Sequence, residues 1–343
     1  MCQAIAKQGH DVHLITCGVE NGDINDFDYY GVRPSFKISK FIISEANFFR
    51  SIFFTFFICK KIFELKPELI YSRHRFSLIL TKYFSISQIF EDHAPPFKCY
   101  QKYIINSAIK NNITKIVLIS NALKKSYEIA VPSINRIKVI VAHDGADPIS
   151  DKKSNMTTPP LFYNNKVNCG YIGHLYKGRG IDIIIDIADK LPRVIFHIVG
   201  GNNKDVDNWS LKTNQENVIF HGYKSNSEIP YIISQFDILL APYQKKVFLA
   251  NNTNTSQFMS PLKIFEYMSS GKPIIASNLP VLSEILINNV NAIMVEPDNV
   301  GEWIKAIKKI NSNKNMALKF AENAKLEFFK KYKWETRAVN ILK

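Results

Sequence analysis

Short apolar runs typical of β-strands alternate along this chain with longer segments that repeat apolar residues at helical spacing. Regular alternation of this kind is typical of α/β proteins built on a mostly parallel sheet. In the first half the pattern predicts strands at 12–16, 69–72, 88–91, 115–119 and 138–142. In the second half it predicts strands at 168–172, 194–199, 218–221, 238–241, 273–277 and 292–295.

The length and one polar stretch predict two domains. A chain of 343 residues can form two cores. Residues 151–160 are polar and end in two prolines, which is typical of a linker. A weak similarity between residues 4–16 and 187–199 supports duplication. We predict two Rossmann-like, doubly wound domains at 1–150 and 166–330 that face a cleft, with a C-terminal helix at 331–343 packing back on the first domain.

The start of the chain departs from this pattern. A doubly wound domain normally opens with a central strand and a glycine-containing turn. Here the sequence opens within a helix, with Gly9 as its C-cap and Val12 beginning the next strand. We expect the N-terminal domain to lack its first strand, so that either the native frame starts upstream or the product is an inactive or poorly folded fragment.

Charge and cysteine content limit the class of protein. A net charge of +14 favours partners that carry phosphate or an acidic surface. Nucleic acid is not expected, because the chain has no helix-turn-helix spacing, zinc finger or aromatic RNA-binding motif. Five cysteines without a Cys-x-x-Cys pair indicate reduced thiols. With no signal-peptide pattern at the start, these features favour a cytoplasmic protein.

The most apolar segment is 41–63, which Glu45 and Arg50 interrupt and Lys60-Lys61 follow. It is too short for a spanning helix, which needs roughly 20 apolar residues. Two interpretations stay open. The segment is either a buried helix or an aromatic and basic surface that contacts the inner face of a membrane.

A glycine-rich segment precedes a strongly periodic helix. Residues 169–180 read Cys-Gly-Tyr-Ile-Gly-His-Leu-Tyr-Lys-Gly-Arg-Gly. The next residues predict a helix from about Gly180, with an apolar face made by Ile181, Ile184, Ile185, Ala188 and Leu191. Cations such as His174 and Arg179 oppose the macrodipole at a helix N-terminus. Together with Gly173 they therefore predict an anion site.

A second segment, at 260–277, places a lysine at another helix N-terminus. Ser260 and Pro261 fit the N-cap and N1 positions. Lys263 and Glu266 are three residues apart and share a face. The lysine suits a phosphate, and the carboxylate suits the paired hydroxyls of a ribose. The residues predicted to face the core are Leu262, Phe265 and Met268.

Gly-His-Leu-Tyr-Lys-Gly-Arg-Gly at 173–180 and Ser-Pro-Leu-Lys-Ile-Phe-Glu-Tyr-Met at 260–268 resemble the donor-site segments of glycosyltransferase family 4. Weaker similarities follow in order along nearly the whole chain, at 9–12, 91–96, 118–124, 143–147 and 332–335. The resemblance implies the GT-B fold, in which the domain at 166–330 binds a nucleotide-sugar and the domain at 1–150 faces the acceptor.

The resemblance also implies roles for single residues. Arg179 stands where the family binds the donor diphosphate, and His174 stands where an arginine is usual. Glu266 matches the second glutamate of the family's Glu-x7-Glu motif, whose first position is Phe258 here. His93 matches a histidine near the reacting sugar. The implied catalytic residues are His93, Arg179 and Lys263, and the implied donor-binding residues are Gly173, His174, Arg179, Ser260, Leu262, Lys263 and Glu266.

The implied reaction moves a sugar, with retention, from a nucleotide-diphosphate sugar to a glycan or lipid-linked acceptor of the cell envelope. No metal or other cofactor is expected, because cations and helix N-termini can stabilise the leaving diphosphate. Asp26-Phe-Asp28 and Asp205-Val-Asp207 fit the metal motif of the other large glycosyltransferase fold, but both lie in polar segments. Two alternatives stay open: a nucleotide-sugar 2-epimerase, and a non-catalytic or truncated sugar-nucleotide-binding protein.

Overall fold

The computed structural model describes residues 1–18, 25–42, 48–149 and 166–343. The predicted linker at 151–160 lies outside these described residues, as do residues 43–47 of the apolar segment. The chain divides into two compact units. The first unit contains Met1–His143 and Arg337–Lys343, and the second contains Asp144–Thr336.

The described part of the first unit contains two parallel sheets and six α-helices. Strands β1 (His13–Gly18) and β2 (Lys37–Ile42) pair with each other. A second sheet has the order β3 (Leu69–Ser72), β4 (Ser87–Asp92), β5 (Ile113–Leu118) and β6 (Lys138–Val141). The helices are α1 (Cys2–Ala6), α2 (Asp26–Tyr30), α3 (Phe48–Leu65), α4 (Leu78–Thr81), α5 (Cys99–Ile109) and α6 (Asn121–Ala130).

Two local features of the first unit differ from the prediction. Strand β2 was not predicted, because none of its residues is buried and its two lysines hide any apolar alternation. Helix α1 ends at Ala6 with Lys7 as its C-cap, so the assignment of Gly9 as C-cap is wrong. The backbone N–H groups of Gln8 and Gly9 instead make tight i to i−3 bonds that close the helix.

One continuous parallel sheet forms the centre of the second unit, in the order β12-β11-β10-β7-β8-β9. Its strands are β7 (Val167–Ile172), β8 (Val194–Val199), β9 (Val218–Gly222), β10 (Ile238–Ala241), β11 (Ile274–Ser277) and β12 (Ile293–Val295). The helices are α7 (Ile181–Lys190), α8 (Asn203–Ser210), α9 (Ile229–Ser234), α10 (Leu262–Ser270), α11 (Pro280–Ser283), α12 (Val300–Ser312), α13 (Lys314–Lys331) and α14 (Trp334–Leu342). The last helix runs into the first unit at Arg337. The parallel sheets of both units confirm the α/β prediction.

The core of the second unit explains the strong periodicity of α7. The helix begins at Ile181 with Gly180 as its N-cap, as predicted. Its buried face is wider than predicted, since Ile183 and Ile187 are also buried, whereas Ile185 is only partly buried. This face packs with α12, whose Trp303 is fully buried.

Helix α3 combines both interpretations of the apolar segment. Phe54 and Ile62 are buried, as expected for a core helix. Phe53, Phe56 and Phe63 are 56%, 59% and 75% exposed, so the opposite side is an aromatic surface. None of the described helices combines the length and the apolar character needed to cross a bilayer.

Candidate active site

The order of the second sheet reverses between β7 and β10, and the candidate site is built where these two strands end. Strand β7 is hydrogen-bonded to β10 on one side and to β8 on the other. Connections therefore leave β7 and β10 in opposite directions, which opens a crevice at their carboxyl ends. Tyr171 and Gly173 lie at the end of β7, and Tyr243 follows β10.

Gly173 is required by a close approach of Lys263. Its φ of +145° lies in a region that side chains rarely adopt. A Cβ atom there would lie 2.8 Å from the Lys263 Nζ atom. The glycine thus leaves room for the lysine to reach the end of β7 from the first turn of α10.

Lys263 is buried between aromatic rings. Its Nζ atom lies 3.7 Å from the ring centre of Tyr171 and 4.9 Å from that of Tyr243. Among the described residues it has no hydrogen-bond partner. Burial lowers the pKa of Lys263 well below its ordinary value; the charge of Arg179 lowers it further, and the Glu266 carboxylate opposes the shift.

Arg179 precedes α7 and shares the Tyr243 ring with the lysine. Its guanidinium carbon lies 5.4 Å from that ring centre. The Nε atom is buried and unpaired among the residues that the structure describes. Two basic side chains therefore meet beside the N-termini of α7 and α10, where backbone N–H groups also lack partners within their own helices. This arrangement favours an anion.

His174 adds an imidazole ring to the same loop. Its ring stacks on Tyr176 with a centroid distance of 4.8 Å. Partial burial lowers the pKa of His174, the charges of Arg179 and Lys263 lower it further, and Asp205 opposes this. Burial and the neighbouring basic groups therefore disfavour protonation of the histidine.

Glu266 lies one turn beyond Lys263 on α10. Burial raises the pKa of this carboxyl group, and the neighbouring lysine opposes the shift. Phe258, at the first position of the two-glutamate motif, is 4% exposed and belongs to the core. The site thus offers a carboxylate at the second position of the motif and an aromatic core residue at the first.

Two predictions about the second segment are wrong. Ser260 does not cap α10, because Pro261 occupies the N-cap position in an extended conformation and no side chain caps the helix. The Ser260 hydroxyl oxygen instead accepts the backbone N–H of Asp144 at 2.9 Å. Leu262 is 50% exposed and does not face the core. It is the first residue of a helix that is otherwise buried on nearly every side, so apolar spacing could not select its core face.

His93 lies in the first unit, directly after β4. Its Nε2 atom lies 2.6 Å from Glu91 Oε1, and its Nδ1 atom lies 2.9 Å from Arg73 Nη2. The structure therefore places His93 in a charged network at the carboxyl end of a parallel strand. The other predicted site residues all belong to the second unit.

One aspartate of each candidate metal motif has a local structural role. Asp205 completes a capping box with Asn202 at the start of α8. Asp26 forms an ion pair with Lys40 at 2.5 Å. Asp28 and Asp207 are exposed.

The sequence did not reveal the aromatic walls of the site. Tyr171 and Tyr243 are about 1% exposed, and they enclose the lysine. The available signal was the position of each tyrosine at or just past the carboxyl end of a strand, where ligands of such sheets bind. A buried tyrosine in an apolar strand is more often a core residue, so that signal is weak.

Comparison with known proteins gives a family match for this chain. Residues 155–327 match the family described as Glycosyl transferases group 1. An uncharacterized glycosyltransferase of Methanocaldococcus jannaschii is 25% identical over 186 residues, which cover 53% of this chain and 49% of that protein. The putative teichuronic acid biosynthesis glycosyltransferase TuaH of Bacillus subtilis is 30% identical over 143 residues, 41% of this chain and 34% of that protein. The chain thus spans half or less of the length of these relatives.

Solved structures share the fold over nearly the whole chain. A glycosyltransferase from Rickettsia africae has a TM-score of 0.77 and 18% identity, and covers 99% of this chain and 91% of its own. Anabaena HepE in complex with UDP-glucose has a TM-score of 0.67 and 16% identity, and covers 96% and 98%. These neighbours confirm the predicted fold of two Rossmann-like domains, known as GT-B.

Proposed function

The chain belongs to the Glycosyl transferases group 1 family, and from this premise we propose that it transfers a sugar from a nucleotide-diphosphate sugar to an acceptor hydroxyl. The observation that carries the proposal is the meeting of Arg179 and buried Lys263 beside two helix N-termini. A diphosphate is an anion of the size and charge that such a site binds.

The same groups supply the chemistry of the transfer. As the bond between sugar and diphosphate breaks, negative charge grows on the leaving phosphate. Arg179 and Lys263 are held in place before the reaction, so they stabilise that charge with little reorganisation. Glu266 lies one turn along α10, where its carboxylate would accept hydrogen bonds from the vicinal hydroxyls of the ribose.

The relatives support the donor and acceptor classes proposed here. HepE was solved with UDP-glucose, which makes uridine diphosphate sugars the first donors to test. TuaH is named for teichuronic acid biosynthesis. The acceptor proposed here is accordingly a cell-envelope polysaccharide or a lipid-linked glycan, reached from the cytoplasmic side of the membrane through the exposed aromatic side of α3.

Retention of the anomeric configuration and independence from metal complete the proposal. The metal-free route is supported by the cations at the diphosphate position and by the structural roles of Asp26 and Asp205. Transfer should therefore persist in EDTA. Loss of transfer that manganese restores would contradict this part, and the anomeric signal of the product in NMR decides between retention and inversion.

The deciding experiment is a donor screen followed by transfer assays. Thermal shift against UDP-, GDP- and ADP-sugars should reveal one stabilising donor. With that donor, Arg179→Ala and Glu266→Ala should each reduce transfer by on the order of a hundredfold while the fold is kept. Lys190→Ala, an exposed lysine at the far end of α7, is the matched control. Wild-type rates in both site variants would overturn the assignment, and conversion of the donor without acceptor would indicate an epimerase.

A further inference from the structure

Two buried carboxylates lie at the carboxyl end of β4 and accept hydrogen bonds from different residues. Glu91 and Asp92 are 2% and 6% exposed. Asp92 forms a bidentate ion pair with Arg75, at 2.7 and 2.8 Å, and accepts a hydrogen bond from the Tyr127 hydroxyl. These bonds hold the polypeptide at the strand end, and Asp92 also accepts the backbone N–H of His93 at 2.9 Å.

The two oxygens of Glu91 are used separately. Oε2 accepts hydrogen bonds from Arg337 Nη2 at 2.8 Å and from the Tyr71 hydroxyl. Oε1 accepts from His93 Nε2 at 2.6 Å. Burial by itself would raise the pKa of Glu91, but the hydrogen bond from His93 and the charge of Arg337 outweigh it and lower the pKa to about 2. Glu91 is therefore a carboxylate, able only to accept.

These contacts fix the tautomer of His93. Arg73 Nη2 lies 2.9 Å from Nδ1, and a guanidinium has hydrogens to donate but no acceptor. Nδ1 must therefore carry a lone pair. Nε2 must carry the hydrogen, which it donates to the carboxylate of Glu91. The ring thus has a defined orientation, with Nδ1 as its acceptor atom.

We propose that Glu91 is the positioning residue of His93, and that Nδ1 is the atom His93 offers to a substrate hydroxyl. In the structure Arg73 contacts that atom. The Arg73 side chain is 60% exposed, whereas the Glu91 side chain is 3% exposed. Arg73 Nε also lies 3.6 Å from Glu91 Oε1, but because the guanidinium is largely exposed this ion pair is weak, and Arg73 can leave for water at low cost. The bond from Nε2 to Glu91 then keeps the tautomer unchanged. This proposal rests on the proposed function, because it takes the partner of Nδ1 to be a hydroxyl of the transferred sugar or of the acceptor.

The tautomer is measured directly on the full chain with ¹⁵N-labelled histidine. Long-range ¹H–¹⁵N correlation spectra distinguish the two neutral tautomers, and a His93→Gln sample identifies the signals of His93 among the eight histidines. The wild type and Arg73→Ala should both show hydrogen on Nε2. In Glu91→Gln the amide can donate as well as accept, so a second tautomer should appear. Hydrogen on Nδ1 in the wild type would overturn the proposal whatever the enzyme does.

Steady-state kinetics test the role in transfer. Glu91→Gln should lower kcat, expressed per folded molecule, by on the order of a hundredfold, because a small displacement of a reacting group is costly. Arg73→Ala should lower KM for the substrate that bears the hydroxyl, since a competitor for Nδ1 is removed. Tyr127→Phe is the matched control. It removes a hydroxyl that donates to Asp92, the carboxylate next to Glu91. Equal kcat values in Glu91→Gln and Tyr127→Phe would refute the positioning role. Failure of transfer with every donor would instead refute the proposed function, while the NMR result would still decide the tautomer.

Discussion

Lys263 lies where an ammonium group is hard to accommodate without an anion. It is 9% exposed, and the groups around its Nζ atom are the faces of Tyr171 and Tyr243. Ring faces attract a cation, by roughly 2 kcal/mol when it is desolvated, which offsets only part of the loss of hydration. Arg179 adds repulsion, and Glu266 is the carboxylate that opposes it. The lowered pKa of Lys263 is the consequence.

Binding of a diphosphate should therefore be coupled to proton uptake by Lys263. The phosphate charges favour the ammonium form, so they raise the pKa of the lysine and draw a proton from the buffer. We expect calorimetric titrations with UDP at about pH 8, where the phosphates are already fully ionised, to show an enthalpy that depends on the ionisation enthalpy of the buffer. The sign of that dependence should indicate uptake.

Lys263→Arg is the control for this coupling. Arginine stays charged at every accessible pH, so the variant should bind UDP without taking up a proton. If the wild type shows the same buffer dependence as Lys263→Arg, the lysine is already protonated in the free protein and the prediction is wrong.

At the residue scale, the sequence identified the charged residues of the site but not the aromatic side chains around them. Lys263 and Glu266 could be identified from their spacing on a helix and from the resemblance to a family. The two tyrosines beside the lysine could not, because 72 residues separate Tyr171 from Tyr243 and only the pairing of β7 with β10 brings them together. Contacts across a sheet leave no periodic signal.

Among the elements, α3 exposes aromatic side chains beside lysines. Phe53, Phe56 and Phe63 lie on its exposed side with Lys60 between them. Helix α3 packs on α4, and α4 packs on α5. Two more exposed aromatics follow, since Tyr83 after α4 and Tyr103 on α5 are 74% and 73% exposed. Aromatic rings next to lysines are typical of surfaces that bind anionic membranes.

The double variant Phe53→Ser and Phe56→Ser should lose affinity for vesicles that contain phosphatidylserine. Each phenylalanine removed from the membrane costs about 2 kcal/mol, so we expect at least a tenfold loss for each in a flotation or co-sedimentation assay. Leu326→Ser removes an apolar side chain that is 70% exposed, more than either phenylalanine, from α13 of the second unit and should change nothing. Equal binding by the double variant and the wild type would contradict a membrane role for α3.

A row of polar side chains crosses three strands of the second sheet. His197 Nδ1 on β8 lies 3.0 Å from His221 Nε2 on β9. His197 Nε2 lies 3.0 Å from Asn168 Oδ1 on β7. Burial lowers the pKa of His197 to about 3, and the charge of His221 contributes. The folded unit therefore keeps this ring neutral at a pH where an unfolded chain would protonate it.

Stability of the second unit should fall as pH is lowered below about 6.5. Between the ordinary pKa of 6.5 and the folded value of about 3, the unfolded chain binds a proton that the folded chain does not. The free energy of unfolding should decrease by up to about 1.4 kcal/mol per pH unit. Urea titrations at about pH 7 and pH 5, followed by tryptophan fluorescence, measure this slope. His197→Gln should reduce the slope, leaving the smaller part that His174 and His221 contribute through their own lowered pKa values, and a variant of exposed His10 should not change it. An unchanged slope in His197→Gln would contradict the assignment.

Element boundaries followed from the sequence wherever burial produced a pattern. Strand β8 (Val194–Val199) was predicted with the bounds that the structure has, because its residues are apolar and nearly all buried. Strand β2 was missed, because none of its residues is buried. The start of α10 was misplaced because Ser260 bonds to Asp144, a partner 116 residues away that no local cap signal indicates.

On the scale of the whole molecule, one buried ion pair joins the last helix of the chain to β4. Arg337 and Glu91 are 246 residues apart in sequence and 2.8 Å apart in the structure. Arg337 Nε also donates to the backbone carbonyl of His143 at 2.8 Å. Both side chains are 3% exposed, so water cannot replace either partner. The first unit thus depends on residues from the two ends of the chain.

Arg337→Met should destabilise the first unit selectively. Removing one partner of a buried pair leaves the other charge without compensation, which costs about 3–5 kcal/mol. All three tryptophans, Trp209, Trp303 and Trp334, lie in the second unit, whereas far-UV circular dichroism reports on both. The measurement uses a Trp334→Phe background, because Trp334 is the tryptophan closest in sequence to the substitution. In that background, part of the dichroism signal should be lost at a lower urea concentration, while the fluorescence transition of Trp303 should keep its midpoint. Lys331→Ala breaks an exposed pair with Glu327 and should shift neither signal. Unchanged dichroism in Arg337→Met would show that the pair contributes little, and a common shift of both signals would show that the two units unfold as one.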